Sequence, residues 1–382
     1  MSTWVISPAA DICSFVGPLV LAVGISAITS TIPNDQVPLR WWIPMGVLVD
    51  VAHVYSSLYR TVFDSEATAK NWALYIVAGP GILAVSLFVN LALGTKWGWT
   101  LLAYWAIFHF AKQPFGILCL YKARWGERCP VEHRWDYWTC MAGAAIPTLI
   151  NHAGGLNNEL SWFGAEEEFL FRLPTWSQRP LNFLYIALPL TWLARQFRGR
   201  FFEGVPLNFG KIGIMAIQYI TWYMGSSDHQ LTGLAYHNIF HGISSMVLTH
   251  HVTQRRLNAW QSKSPDTMKS RDRFNQACVA SPWKYLSLMA VFGLVEEIAW
   301  DYFVNQTYMP ENGYQLPQFT DTTKALATSC LMWPQLAHYF VDGFVWRLTL
   351  RNPGLRDALL ADPPAAGPTV APIAKVIAGK LD

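Results

Sequence analysis

Five histidines of this chain stand in stretches that are otherwise almost wholly apolar: His53, His109, His237, His241 and His338. Two of them, in His-Asn-Ile-Phe-His at 237–241, are spaced i, i+4. On a helix that spacing puts both imidazoles on one side, one turn apart, where one element can offer two nitrogens to a single metal ion. Imidazole in hydrocarbon is costly unless something binds it. The sequence therefore predicts that these five histidines converge on a metal site.

Carboxylates accompany them. Asp50 lies one turn before His53, and Asp342 one turn after His338. Both have the spacing to accept the second ring N–H of a ligating histidine and fix its tautomer, and that supporting role is the one expected of them. Glu296 and Glu297 sit mid-span in Gly-Leu-Val-Glu-Glu-Ile-Ala-Trp. An ionised carboxylate in hydrocarbon needs a partner inside the bundle, so the pair is read as catalytic, as ligands, or as acceptors of a ligating histidine's second ring N–H. His338 is read as a fifth ligand or as a supporting base. An imidazole-rich site without thiolates suits iron, zinc or copper. Four histidines with no obligatory carboxylate fit non-haem Fe(II) with a position left for O₂, and a fifth His with carboxylates leaves room for a second metal. No HExxH motif points to a zinc hydrolase. Arg60, two turns beyond His53, reads as an interfacial side chain whose head reaches water. Lys112, Gln113, Asn238 and Tyr339 adjoin the histidines closely enough to shape a pocket. His133, His152, His229, His250 and His251 fall in loops or at span ends and are left out of the site.

The elements that must position these groups are membrane helices. The chain is 52% hydrophobic and 14% charged with 19 Trp; soluble domains carry roughly 25% charge. A spanning helix needs roughly 20 mainly apolar residues. Candidate spans fall at about 12–32, 41–62, 72–93, 97–121, 136–152, 181–196, 210–225, 231–251, 284–304 and 325–347. With the N-terminus in the cytoplasm, most of the 28 Lys and Arg fall on the cytoplasmic side. Arg40, Lys96, Arg172, Arg179, Lys324 and the run Glu166-Glu167-Glu168 fall on the other. That asymmetry is the positive-inside pattern, and it places both termini in the cytoplasm. The expected fold is thus all-α: one polytopic domain, 1–360, in the cell inner membrane, followed by a disordered tail, 361–382. In this topology His53, His109, His241 and His338 lie about 10 to 12 residues into their spans, which at 1.5 Å per residue puts them in one layer near the midplane.

The six cysteines form no CxxC and read as free thiols. A net charge of +3 gives no reason to expect nucleic acid. The loop 153–180, with Trp162, Phe163, Phe169, Phe171 and Trp176, reads as an interfacial helix or lid, and 252–283 as a solvated linker.

One His in an early helix, a second in a later one and an HxxxH pair on a third resemble the Brp/Blh family, bacterial and archaeal membrane proteins that cleave beta-carotene to retinal. The matching positions are His53, His109, His237 and His241. The resemblance covers roughly residues 50 to 245 and implies a non-haem iron dioxygenase acting on a carotenoid. This chain has more candidate spans than that family, and His338 has no counterpart there. The local words Asp-Val-Ala-His-Val-Tyr, Phe-His-Phe-Ala-Lys-Gln-Pro-Phe-Gly and His-Tyr-Phe-Val-Asp-Gly-Phe-Val-Trp-Arg are closer to a further group of bacterial polytopic membrane proteins.

Residues and resemblance together lead to the expectation of an iron oxygenase that takes O₂ and a lipophilic substrate, a carotenoid, isoprenoid or lipid, with membrane lipid around it. A haem-binding electron-transfer protein, an ion or solute transporter and a purely structural use of the histidines are the competing expectations.

Overall fold

The computed structural model describes residues 4–32, 37–155, 170–226, 230–349, 351–352 and 354–360. Trp162, Phe163, Phe169, the acidic run 166–168, His229 and the tail 361–382 lie outside the described residues. Among those described there is no strand, and the protein is all-α.

Among the described residues ten long helical segments organise the chain. They are α1 (Pro8–Thr29), α2 (residues 39–60), α3 (Trp72–Leu93), α4 (Thr95–Arg124) and α5 (Pro130–His152). After these come α6 (Gln178–Phe202), α7 (Phe209–Gly225) and α8 (Gln230–Lys263). A shorter α9 (Ser270–Val279) bends by 107° into α10 (Pro282–Asn305), and α11 (Asp321–Val345) and a short α12 (Leu355–Leu360) close the described chain. The expected linker 252–283 is thus largely helical, as the end of α8 and α9.

Local chemistry sets several of these ends. Gly94, at φ 100°, turns the chain sharply between α3 and α4. Lys122 and Arg124 in the last turn of α4 complement its dipole. Pro130 opens α5, where a missing N–H costs nothing. The Thr320 side chain caps α11 by accepting from the Thr323 N–H.

Among the described residues two helices, α1 and α3, are long and apolar enough to cross a membrane, and the bent pair α9–α10 adds a third only if it is taken as one span. Large apolar side chains face outward on them and elsewhere: Val20, Ile28, Phe88, Phe183 and Val295 are all exposed. Apolar faces turned outward mark a membrane protein, since in water they would be a liability. Several of the other candidate spans lie on helices that carry polar groups turned into the bundle: Asp136 on α5, Lys211 on α7, His241 on α8 and His338 on α11 are all buried.

Those inward groups tie helices together. Asp136 accepts from Lys122 on α4, from Trp192 Nε1 on α6 at 2.8 Å, and lies 3.3 Å from Lys211 Nζ on α7. Lys211 also reaches Glu127, at 2.9 Å. Elsewhere Arg256 of α8 bonds Asp64 and Glu66 in the turn after α2. α8 is the central helix, packed against α1, α2, α4 and α7. Its contact with α2 is unusually close. A Cβ at Gly242 would stand 2.7 Å from the Val49 carbonyl oxygen, nearer than real carbon atoms come. Glycine there lets the two backbones approach next to His241.

Candidate metal centre

His53 on α2, His109 on α4, His241 on α8 and His338 on α11 each offer a nitrogen, and the four nitrogens lie within 4.8 Å of one another. All four side chains are buried. The arrangement is a closed ring. Adjacent ring centroids are 4.5 Å apart for His53–His241, and 4.9 Å for His241–His109, His109–His338 and His338–His53. Successive rings are steeply inclined, by 69° to 87°. The order follows the packing of the helices: α2 contacts α8 and α11, and α4 contacts the same two.

Second contacts orient the rings. His53 Nδ1 bonds the Asp50 backbone carbonyl, one turn earlier, which turns Nε2 towards the centre. The Asp50 carboxylate stands 3.5 Å from the same Nδ1. On α11, Asp342 lies 3.8 Å from His338 Nδ1 and is itself bonded by Trp346. Phe110 stacks on His241 at 3.7 Å and 14°, and Tyr339 on His109 at 4.5 Å and 29°. Gln113 donates to the His241 carbonyl at 3.0 Å and to Ser244 at 2.6 Å, locking α4 to α8. Upstream of His53, α2 runs as wide π-helical turns from Ile43 to Val51. Such turns gather at functional sites because they re-aim the side chains that follow.

Much of the ring's hydrogen-bonding capacity is unspent. His109 Nε2, His241 Nδ1 and both nitrogens of His338 are buried without a hydrogen-bond partner among the described residues. Buried polar atoms are nearly always satisfied, so a group of orphans at one point needs an explanation. A metal ion bound by one nitrogen of each ring would account for His109 Nε2 and one nitrogen of His338, while His241 Nδ1, on the far side of its ring from Nε2, stays unpaired among the described residues. His53 Nε2 and His241 Nε2 face each other at 3.0 Å. Two ligands at right angles on a metal with bonds of roughly 2.1 Å would be about 3.0 Å apart. The donor set, four imidazoles and no thiolate, suits iron, zinc or copper.

The structure corrects the sequence reading at His237. Its ring lies beside Trp222, at 4.7 Å between centroids, and over Gly225, where a Cβ would come within 2.5 Å of Nε2. Four residues along a helix carry a side chain about 6 Å along the axis and about 40° round it. One imidazole of the pair enters the ring, and the other meets α7. Its place is taken by His338, which belongs with the other three.

Glu296 and Glu297 are not among the clustered groups. Glu296 accepts from Tyr55 Oη at 2.5 Å and Trp300 Nε1 at 3.2 Å, and Glu297 from Trp42 Nε1 at 2.6 Å. They have neutral donors, and hold α10 to α2. Lys112 stands over Phe108, Phe115 and Tyr137, away from the ring. Arg60, expected to reach water, is 3% exposed, because Asp64, Tyr75 and Arg256 enclose it.

Comparison with family models, with characterised proteins and with solved structures finds no match to this chain.

Proposed function

We propose that this protein is a membrane-embedded non-haem iron oxygenase acting on a lipophilic substrate, a carotenoid, other isoprenoid or lipid. His53, His109, His241 and His338 would hold the iron. The observation that carries the reading is the convergence of four buried imidazoles from four helices, several with nitrogens that bond nothing else. In the same reading the bundle crosses the cell inner membrane ten times with both termini in the cytoplasm; the charge asymmetry of the loops and the outward apolar side chains support it.

The ligand set favours iron over zinc in one respect. Four imidazoles complete the tetrahedral shell usual for zinc, whereas an iron ion held by them would keep further positions open for O₂. Bound iron supplies O₂ activation. The chain's own residues do the rest. The Asp50 backbone carbonyl orients His53, Asp342 stands 3.8 Å from His338 Nδ1, Phe110 and Tyr339 fix the planes of His241 and His109, and the surrounding apolar core excludes water and would seat an alkene or C–H bond.

A haem reading fits the geometry poorly. Axial ligands on opposite faces of a macrocycle would stand about 4 Å apart, twice a metal–nitrogen bond of roughly 2 Å, with the porphyrin plane between them. Here two Nε2 atoms meet at 3.0 Å and two further imidazoles fill the flanks.

The test is metal analysis of protein purified from membranes, with an optical spectrum. The expected result is about one iron per chain, no Soret band, and O₂ uptake when a carotenoid or other isoprenoid is added. Protein that carries no transition metal after reconstitution with Fe(II) would falsify the proposal.

A further inference from the structure

A second buried group lies at the basic end of α2, outside the histidine ring. Arg60 is 3% exposed, and its Nε and Nη1 have no hydrogen-bond partner among the described residues. Tyr75, on α3, faces it, and the Tyr75 hydroxyl is likewise buried without a partner among the described residues. A guanidinium has five donors and no acceptor, and leaving them unmet in the interior is costly.

The nearby carboxylates do not meet the need. Asp64 Oδ1 accepts from the Ala67 N–H at 2.8 Å, and Oδ2 from Arg256. Glu66 is held by Lys70 at 2.7 Å and by Arg256 at 3.0 Å. Asp272 accepts from the Ser65 N–H at 2.7 Å, the Ser65 hydroxyl at 2.6 Å and the Lys269 N–H at 2.9 Å. Among the described residues of this group Arg60 and Arg271 bond no carboxylate; Arg271 reaches the Val62 and Ser65 carbonyls, whereas Arg60 is buried with donors unmet and can match one negative charge. Its position gives the charge a context. Arg60 ends the same helix that carries His53, seven residues on, through one α-helical and one 3₁₀ turn. At 1.5 Å and 2.0 Å per residue that is roughly 12 Å along the axis. α11 packs against both stretches.

We propose that Arg60 and Tyr75 bind the singly charged acidic head, of the carboxylate class, of an amphiphile whose hydrocarbon runs along α2 towards the histidine ring. This rests on the function proposed above and narrows its substrate class from any lipophile to one with an anionic end. The guanidinium and the phenol donate to the head group, and about 12 Å of chain separates the head from the imidazoles.

The probe is oleate, with methyl oleate as its uncharged twin, titrated against the protein in phosphatidylcholine nanodiscs and corrected with empty discs. Charge-assisted hydrogen bonds of this kind are worth about tenfold to a hundredfold in affinity. Oleate is expected to bind that much more tightly than methyl oleate. Arg60→Gln should abolish the difference, Arg60→Lys restore part of it, and Tyr75→Phe reduce it. Acetate at the same concentration should displace nothing. The proposal is overturned if the two probes bind alike to the wild type, or if acetate displaces oleate. It is also overturned if Arg60→Gln, folded by circular dichroism, keeps the preference. Should Arg60→Gln fail to fold, the wild-type comparison and Tyr75→Phe decide. Metal content measured on the same samples separates the two readings. Iron without oleate preference removes only the head-group site; oleate preference without metal removes only the oxygenase.

Discussion

Exchanging the fates of His237 and His338 is the sharpest consequence of the ring. The HxxxH spacing makes His237 the obvious ligand, yet its imidazole lies against Trp222 and Gly225. His338 sits 4.9 Å from both His53 and His109 between ring centroids. Replacing His338 by Ala takes one of four nitrogens from the proposed metal site. Partners that merely support a ligand are worth 10- to 100-fold in metal affinity. Losing a ligand itself should therefore cost on the order of 100-fold or more, about 2.7 kcal/mol at 1.36 kcal/mol per factor of ten. His237→Ala should leave affinity within about twofold, while opening a cavity beside Trp222 that costs roughly 1–3 kcal/mol of stability. The assay is a chelator competition on purified protein, with thermal melts in parallel. Loss of metal from His237→Ala with retention in His338→Ala would refute the reasoning, because it would restore the sequence pairing against the geometry.

Gly242→Ala should weaken metal binding without touching a ligand: a Cβ 2.7 Å from the Val49 carbonyl forces α2 off α8, with an overpacking cost of about 1–3 kcal/mol that a melt and a metal titration would both register. Asp136→Asn strands Lys122 in a buried site and leaves Lys211 with Glu127 alone, and a loss of about 3–5 kcal/mol is expected by denaturation, with metal affinity per folded molecule unchanged. Tyr339→Phe should keep full metal content, since its hydroxyl accepts from Gln335 and only the ring faces His109, whereas Tyr339→Ala should lower it. Acid should release the ion, because a protonated imidazole cannot bind it; metal content should fall with pH and recover on neutralisation, as measured after brief dialysis at each pH.

The positions of the long helices and the depth of the histidines were legible in the sequence, because apolar length and residue count along a helix are one-dimensional quantities. His53, His109, His241 and His338 share a layer by that count alone. Rotation about the helix axis was not legible. It depends on packing and on the π-helical turns in α2, which break the 3.6-residue phase before His53. That is why His237 reads as a ligand and turns out to face α7, and why His338 reads as auxiliary and closes the ring. Phe110 is the contact the sequence reading missed outright. An apolar side chain next to His109 carries no chemical signal, and its stacking on His241 exists only once α4 and α8 meet. Arg60 was misplaced for a related reason: an arginine near a span end usually reaches water, and only the folded turn after α2, with Asp64 and Arg256, closes over it.

X-ray absorption at the iron edge, on protein reconstituted with Fe(II) in lipid, tests the central claim most directly. Four imidazoles around one ion predict a first shell of nitrogen at roughly 2.0–2.2 Å with the outer-shell scattering of about four imidazole rings. A first shell dominated by oxygen or sulfur, or by one or two imidazoles, would contradict it.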